Sequence, residues 1–199
     1  MELLTGVMAA FGLSASAGLN AYIPLLVISL TARYTDLIQL NSPWDALTSW
    51  WIIGLLIVLS LIEFFADKVP AINHANDAIQ TFVRPVAGAI VFAASANVIT
   101  ELHPLLALGA GVLVSGTVHA VKSAAVRPAV TVTTGGAGNV PVSVAEDIFA
   151  TFLSIMAIII PIVIAFVFIS VTALVVWIFW RRNKRNEAKQ AVERSLIKT

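Results

Sequence analysis

Five long apolar runs, at roughly residues 3–32, 47–66, 85–100, 104–125 and 144–180, decide what this chain can become. A helix that crosses a hydrocarbon layer about 30 Å thick needs about 20 apolar residues at 1.5 Å each. The middle three runs fit that length. The outer two would reach about 45 and 55 Å as straight helices, and they contain Pro24 and Pro161, residues that remove a helical hydrogen bond and kink or break the helix. The expected fold is therefore all-α: a polytopic membrane helix bundle of about five to six transmembrane segments, its first and last segments broken or kinked. A composition of 59% hydrophobic and 12% charged residues, with a mean hydropathy of +0.93, belongs to the same class. Residues 1–180 are expected to form one integral membrane domain.

Residues 181–199 form a basic tail, with seven Lys or Arg against two Glu, a net of +5 in a chain whose total is only +1. It follows the apolar "VVWIFW" directly, so Trp177 and Trp180 read as interfacial anchors and the tail as cytoplasmic by the positive-inside rule. A solvated topology signal is expected, with the lipid bilayer as partner and no nucleic acid. Six crossings would place Lys68, Arg84, Lys122 and Arg127 on the tail's side, in loops or a vestibule. Five crossings with re-entrant pieces remain open, because "SIMAIIIPIVIAFVFISV" offers no polar turn. The N-terminus has neither a basic region nor a small-residue cleavage site, so the first run reads as mature structure. The sequence leaves homo-oligomerisation open.

Polar residues inside such runs are the candidates for function. In "ASAGLNAYIP", Gly18 and Pro24 flank Asn20. Bare backbone at membrane depth is tolerated where protein buries it or water lines it, and transporters use such breaks to bind substrate or ions. A close-packing face built on Gly6-x-x-x-Ala10 and Ala17-x-x-x-Ala21 explains the small residues equally well. "SLIEFFADKVPAINHAND" puts Ser60, Glu63 and Asp67 on one helix face, followed by Lys68, His74 and Asp77. Glu63 is the deepest carboxylate, and such a group needs a partner. Lys68 also suits an interfacial end where its ammonium reaches the headgroups.

"SGTVHAVKSAAVRP" aligns Ser115, His119 and Lys122 at steps of four and three. An imidazole that ordinarily titrates near pH 6.5 suits proton exchange. Lys122 and Arg127, with His119, could neutralise Glu63 and Asp67 or accept an anionic substrate, and His119 and Lys122 are expected to meet Glu63 across one cavity near Asn20. The turn Gly135 to Asn139, with Gly138 and Asn139, is a source of backbone ligands, and its likeness to Ala17–Pro24 suggests an inverted repeat. Glu146 stands three residues after Ser143, as in a capping box, while Asp147 begins a small polar face with Ala150 and Ser154.

Several chemistries find no support. The chain has no cysteine, its three histidines occur singly, and no H-E-x-x-H, P-loop, dinucleotide fingerprint or nucleophile elbow occurs. No metal, no cofactor and no catalytic residue is expected, and the chain is not expected to be an enzyme. "SASAGLNAYIPLL", "EFFADKVP", "RPVAGAI", "HAVKSAAVRP" and "GNVPVSVAEDIFA" resemble, in order, the blocks of an uncharacterised family of bacterial integral membrane proteins, domain of unknown function 4126. The resemblance implies a small multi-spanning protein of the cytoplasmic membrane and supplies no substrate. The residues point to a small transporter or permease with a buried ionisable cavity, coupled to protons or another ion and acting on an unknown small solute or ion. The alternative is a non-transporting scaffold whose intramembrane charges are structural pairs.

Overall fold

The computed structural model describes residues 2–68, 70–97, 103–161, 163, 166, 169–171, 173, 174, 176, 177, 180, 181 and 184, with the side chains of 2–4, 70–75 and 96–97 outside that description. The chain divides into two units, Met1–Ile164 and Ala165–Thr199. Described residues of the second unit are helical, with the Arg181 guanidinium 5.1 Å from the Trp177 ring and Lys184 Nζ 4.3 Å from Trp180. Most of the basic tail lies outside the described residues.

The first unit is all-helical among its described residues. Its elements are α1 (Glu2–Leu19), α2 (Tyr22–Tyr34), a 3-10 turn (Trp44–Thr48), α3 (Trp50–Ala66), α4 (Pro70–Asn97), α5 (Pro104–Val121), a π-turn (Lys122–Val126), α6 (Arg127–Thr134) and α7 (Asn139–Ile159). Among the described residues three stretches are long and apolar enough to cross a membrane: Asn76–Ser95, Pro104–Thr134 and Asn139–Ile159. Outward faces carry Trp51 at 90% exposure, Phe82 at 77% and Leu113 at 71%. So continuous an apolar exterior marks a surface that something other than water must cover.

Both expected breaks are present, and proline explains each. Pro24 has no N–H to give the carbonyl of Asn20, four residues back, and its ring crowds that oxygen, so α1 stops at Leu19 and the chain bends at Ala21. Pro161 disfavours helix at the residue before it, and Ile160 leaves the helix at φ −134°, ψ 64°. Pro128 acts more mildly. The backbone N–H of Arg127 reaches the Lys122 carbonyl, the five-residue closure of a π-turn, so α5 continues into α6 without a gap.

Three boundaries differ from the sequence expectation. The third segment begins at Pro70 and not at residue 85, so Arg84 is a helical residue at 0% exposure and not a loop residue. The fourth runs on to Thr134. The last begins at Asn139, which puts Ser143 inside α7 and leaves no capping box for Glu146. In the third and last segments polar residues that resemble a loop, Arg84 and Ser143 among them, lie on a buried helix face, whereas the extension of the fourth past Arg127 carries exposed threonines.

The core is built on close approach. Helix α4 packs most extensively on α5, and α1 lies against α4, α5 and α7. A Cβ on Gly88 would strike the Ser115 side chain, one on Gly111 the Gly88 backbone, and one on Gly18 the Ser115 carbonyl and Val118. This is small-residue helix packing. Ala10, Ala17 and Ala21 are fully buried in it, as the packing reading of the first run expected.

Helices α1 and α2 form a hairpin with its tip at Asn20. Their far ends meet again around a cavity of about 380 Å³ lined by Thr5, Gly6, Ala9, Asp36, Leu37, Ile38, Gln39, Ser95, Ile158 and Pro161. The bundle thus has a cavity end and, at the hairpin tip, a polar end.

Candidate functional site

The polar end is built around the exposed backbone ends of the broken helix. Oδ1 of Asn20 accepts hydrogen bonds from the N–H groups of Tyr22 and Ile23, both at 3.1 Å, capping α2 from within the break. Its Nδ2 donates to Asp147 Oδ1 at 2.9 Å. The Ala21 N–H donates to Glu63 Oε2 at 3.2 Å, and Lys122 Nζ donates to the Leu19 carbonyl at 2.9 Å. A carboxylate therefore faces the positive end of one half-helix and an ammonium faces the negative end of the other. Each charge complements the helix dipole it meets.

Around this tip runs a buried ion network. Glu63 Oε1 accepts from Arg84 Nη2 at 2.9 Å, and both side chains are completely buried. Asp67 Oδ2 lies 3.8 Å from the same Arg84 nitrogen and 3.1 Å from Arg127 Nη2. Asn76 donates to Asp67 Oδ1 at 2.7 Å and Ser143 to its Oδ2 at 3.4 Å. Glu146 Oε2 takes Lys122 at 2.8 Å and Arg127 at 3.3 Å. Asp77 lies 3.7 Å from Arg127 Nη1, and Asp147 Oδ2 lies 3.3 Å from Lys68 Nζ. Among the described residues four cationic and five anionic side chains gather here, and each has a partner of opposite sign.

His119, on α5, bonds two side chains of α4. Arg84 can only donate, so His119 Nδ1 accepts from Arg84 Nη1 at 3.2 Å. The ring proton then sits on Nε2 and is donated to Thr81 Oγ1 at 3.2 Å, while Thr81 passes its own proton to the Asp77 carbonyl at 2.8 Å.

The local sequence explains why these side chains converge. Ser60, Glu63 and Asp67 do share a face of α3 and its C-cap, and Glu63 lies thirteen residues, about 20 Å, along α3 from Trp50. Ser115, His119 and Lys122 are all buried on one face of α5 and the turn that follows it. In an unbroken α-helix Lys122 and Arg127, five residues apart, would point about 140° away from each other. The wider π-turn brings them to the same side, and both reach Glu146. Asp147, Ala150 and Ser154 form the buried face expected of α7, where Ser16 bonds both Ser154 Oγ and the Ala150 carbonyl at 2.8 Å.

The structure thus brings together Asn20, Glu63, Asp67, Lys68, His119, Lys122, Glu146 and Asp147. It does not bring in Gly138 and Asn139. These lie in the α6–α7 turn, where Gly138 N–H donates to Thr134 Oγ1 at 2.9 Å and Asn139 bonds Thr131 at 3.1 and 3.2 Å. The expected pairing also changes. Glu63 meets neither His119 nor Lys122 directly, because Arg84 stands between Glu63 and His119, and Lys122 sits across the break on the Leu19 carbonyl. Lys68 combines two roles: besides Asp147 it bonds the Phe64 carbonyl at 2.9 Å and lies 3.1 Å from the Phe64 ring centre. The side chain of His74 lies outside the described residues.

Sequence reasoning passed over Arg84 as a site residue, along with Asn76 and Thr81, whereas Arg127, read with Lys122 as a cation that could neutralise Glu63 and Asp67, pairs with Asp67. The signal for Arg84 was available. Asn76, Gln80 and Arg84 recur every four residues, and all three are buried on the face that continues through Ala87, Val91 and Ala94. Among the described residues no group of three or more His, Cys, Asp or Glu is placed to hold a metal ion.

No curated protein and no solved structure matches this chain. A family model described as a domain of unknown function, DUF4126, matches residues 7–181, which include the broken first helix and every described member of the ion network. That match covers far more than half of the sequence, and the chain belongs to the DUF4126 family.

Proposed function

We propose that this protein is a small permease of the bacterial cytoplasmic membrane that couples movement of a small solute to protons or another ion. The observation that carries the reading is the α1–α2 break, whose two backbone ends are met by Glu63 and Lys122. Discontinuous helices with charged or ionic partners at their ends are the substrate and coupling-ion sites of many secondary transporters. Exchange of a proton at Glu63 would alter the Ala21 contact and the Arg84 contact together, so one ionisation event reaches both the hairpin and α4. Gathering of Lys68, Arg84, Lys122 and Arg127 at the hairpin-tip end supports a cytoplasmic orientation for that end.

A scaffold without transport is the second reading, favoured by the opposite-sign partner that every charged member of the network has. A buried network can serve to fix one arrangement of helices. Reconstitution in proteoliposomes containing an entrapped pH dye, challenged with a panel of small organic ions and neutral solutes, separates the two. In a carrier, at least one solute drives a change of internal pH that Glu63→Gln abolishes while the variant keeps its fold by thermal melting. In a scaffold, no solute moves protons and Glu63→Gln changes melting alone. Orientation is tested in the same cysteine-free chain: a cysteine at Ala137 is expected to label from the cytoplasm and one at Leu37 from the opposite side. The reverse pattern would overturn the assignment.

A further inference from the structure

The cavity at the far end of the bundle has features of a binding site that the ion network does not use. It is an open-mouthed cavity of about 380 Å³ between α1, the segment after α2, α4 and α7, within the size range of small-molecule sites. Ser95 lines it, is 4% exposed, and leaves its Oγ without a hydrogen-bond partner among the described residues. A serine in a helix usually satisfies its hydroxyl on the carbonyl four residues back. Ser29 and Ser115 do this, at 2.6 and 2.8 Å. A buried hydroxyl left over beside a cavity calls for a partner within that cavity.

The other lining residues define the partner's chemistry. Among the described lining residues Asp36 is the single charged one and is negative; Gln39 and Ser95 add oxygen acceptors; Ala9, Leu37, Ile38, Ile158 and Pro161 are apolar. An anion would meet no cation among these residues and would face Asp36. A bare hard cation prefers six or more oxygen ligands, which a lining this apolar does not supply. A primary ammonium brings three donors for separate oxygens, and a short aliphatic stem would lie against Ile38, Ile158 and Pro161. We propose that this cavity binds a small aliphatic ammonium ion, its charged head between Asp36 and Ser95.

The inference deepens the permease reading by naming a substrate class, and only its transport arm rests on that reading. The test uses the full chain in nanodiscs, with n-butylammonium as probe and 1-butanol and butyrate as controls, followed by ligand-observed NMR and calorimetry. Butylammonium is expected to bind saturably, with butyrate not binding and butanol binding at least tenfold more weakly. Asp36→Asn, at an exposed position, should weaken butylammonium about tenfold, as expected for loss of a charge-assisted bond, and Ser95→Ala several-fold. Ser95→Leu should block the cavity. Equal binding of butanol and butylammonium, or binding indifferent to Asp36→Asn and Ser95→Leu, would overturn the site. Counterflow of labelled butylammonium in proteoliposomes then separates the two ideas. Binding without counterflow keeps the site and removes the carrier, whereas proton-linked flux of other solutes with no butylammonium binding removes the site and keeps the carrier.

Discussion

Two stretches of this chain look alike in sequence, Ala17-Gly18-Leu19-Asn20 before Pro24 and Ala137-Gly138-Asn139 before Pro141, and they end in opposite places. Asn20 is 1% exposed and joins α1, α2 and α7 through its own hydrogen bonds. Asn139 is half-exposed and bonds Thr131 in a surface turn. The prolines do not separate the two turns. Each is the third residue of the helix that follows, Pro24 in α2 and Pro141 in α7, a first-turn position where no intrahelical donor is needed. The surroundings account for the difference. Glu63, Lys122 and Asp147 converge on the first break and none of them approaches the second, so a short motif sets where a helix stops while distant residues decide whether that stop can be buried. The inverted repeat suggested by the likeness gains nothing from these two turns.

Substitutions sharpen this contrast, and the largest effect belongs to the network around the buried break. Glu63→Ala leaves Arg84 buried and without its closest carboxylate, and a loss of about 3–5 kcal/mol is expected, read as unfolding free energy in nanodiscs. A cost below about 1 kcal/mol would show that the network does not hold the tip. In a double-mutant cycle, Glu63→Gln with Arg84→Met should give a coupling energy of about 1–3 kcal/mol. The same cycle with Lys122→Met in place of Arg84→Met should couple more weakly, because Glu63 and Lys122 hold opposite sides of the break.

Asn20→Ala is expected to cost about 1–3 kcal/mol through the acceptors and donors it leaves buried. At the other turn, Gly135 has φ +62°, so Gly135→Ala should cost about 1 kcal/mol from backbone strain. Asn139→Ala should stay within about 0.5 kcal/mol, as for other surface changes. If Asn139→Ala and Asn20→Ala proved equally damaging, burial would not be what separates the two turns.

Much of the fold was legible because membrane-length apolar runs and prolines act locally. The breaks near Pro24 and Pro161 follow from hydrogen bonds that proline cannot make, and Glu63 stood out because a carboxylate has few reasons to lie in so apolar a helix. The parts that were missed depend on pairing across the bundle. Residues 70–84 are polar enough to pass for a loop, yet Asn76, Gln80 and Arg84 are buried because acids on α3 and the histidine of α5 meet that face. Glu146 satisfies a capping pattern by spacing alone. What assigns it to Lys122 and Arg127 is the π-turn, which depends on Pro128 and which no periodicity announces.

The hairpin tip also sets a timetable for biogenesis. Asn20 waits for Asp147, 127 residues downstream, and the Leu19 carbonyl waits for Lys122, 103 residues downstream. At about 5–20 residues per second, the interval before Asp147 is even synthesised is roughly 6–25 s. Through that interval the ribosome has delivered an apolar hairpin whose central amides and carbonyls lack their final partners. The newborn first segment must keep its tip in water, in the insertion machinery or in a provisional straight helix, and bury it only when the last third of the first unit arrives to receive it.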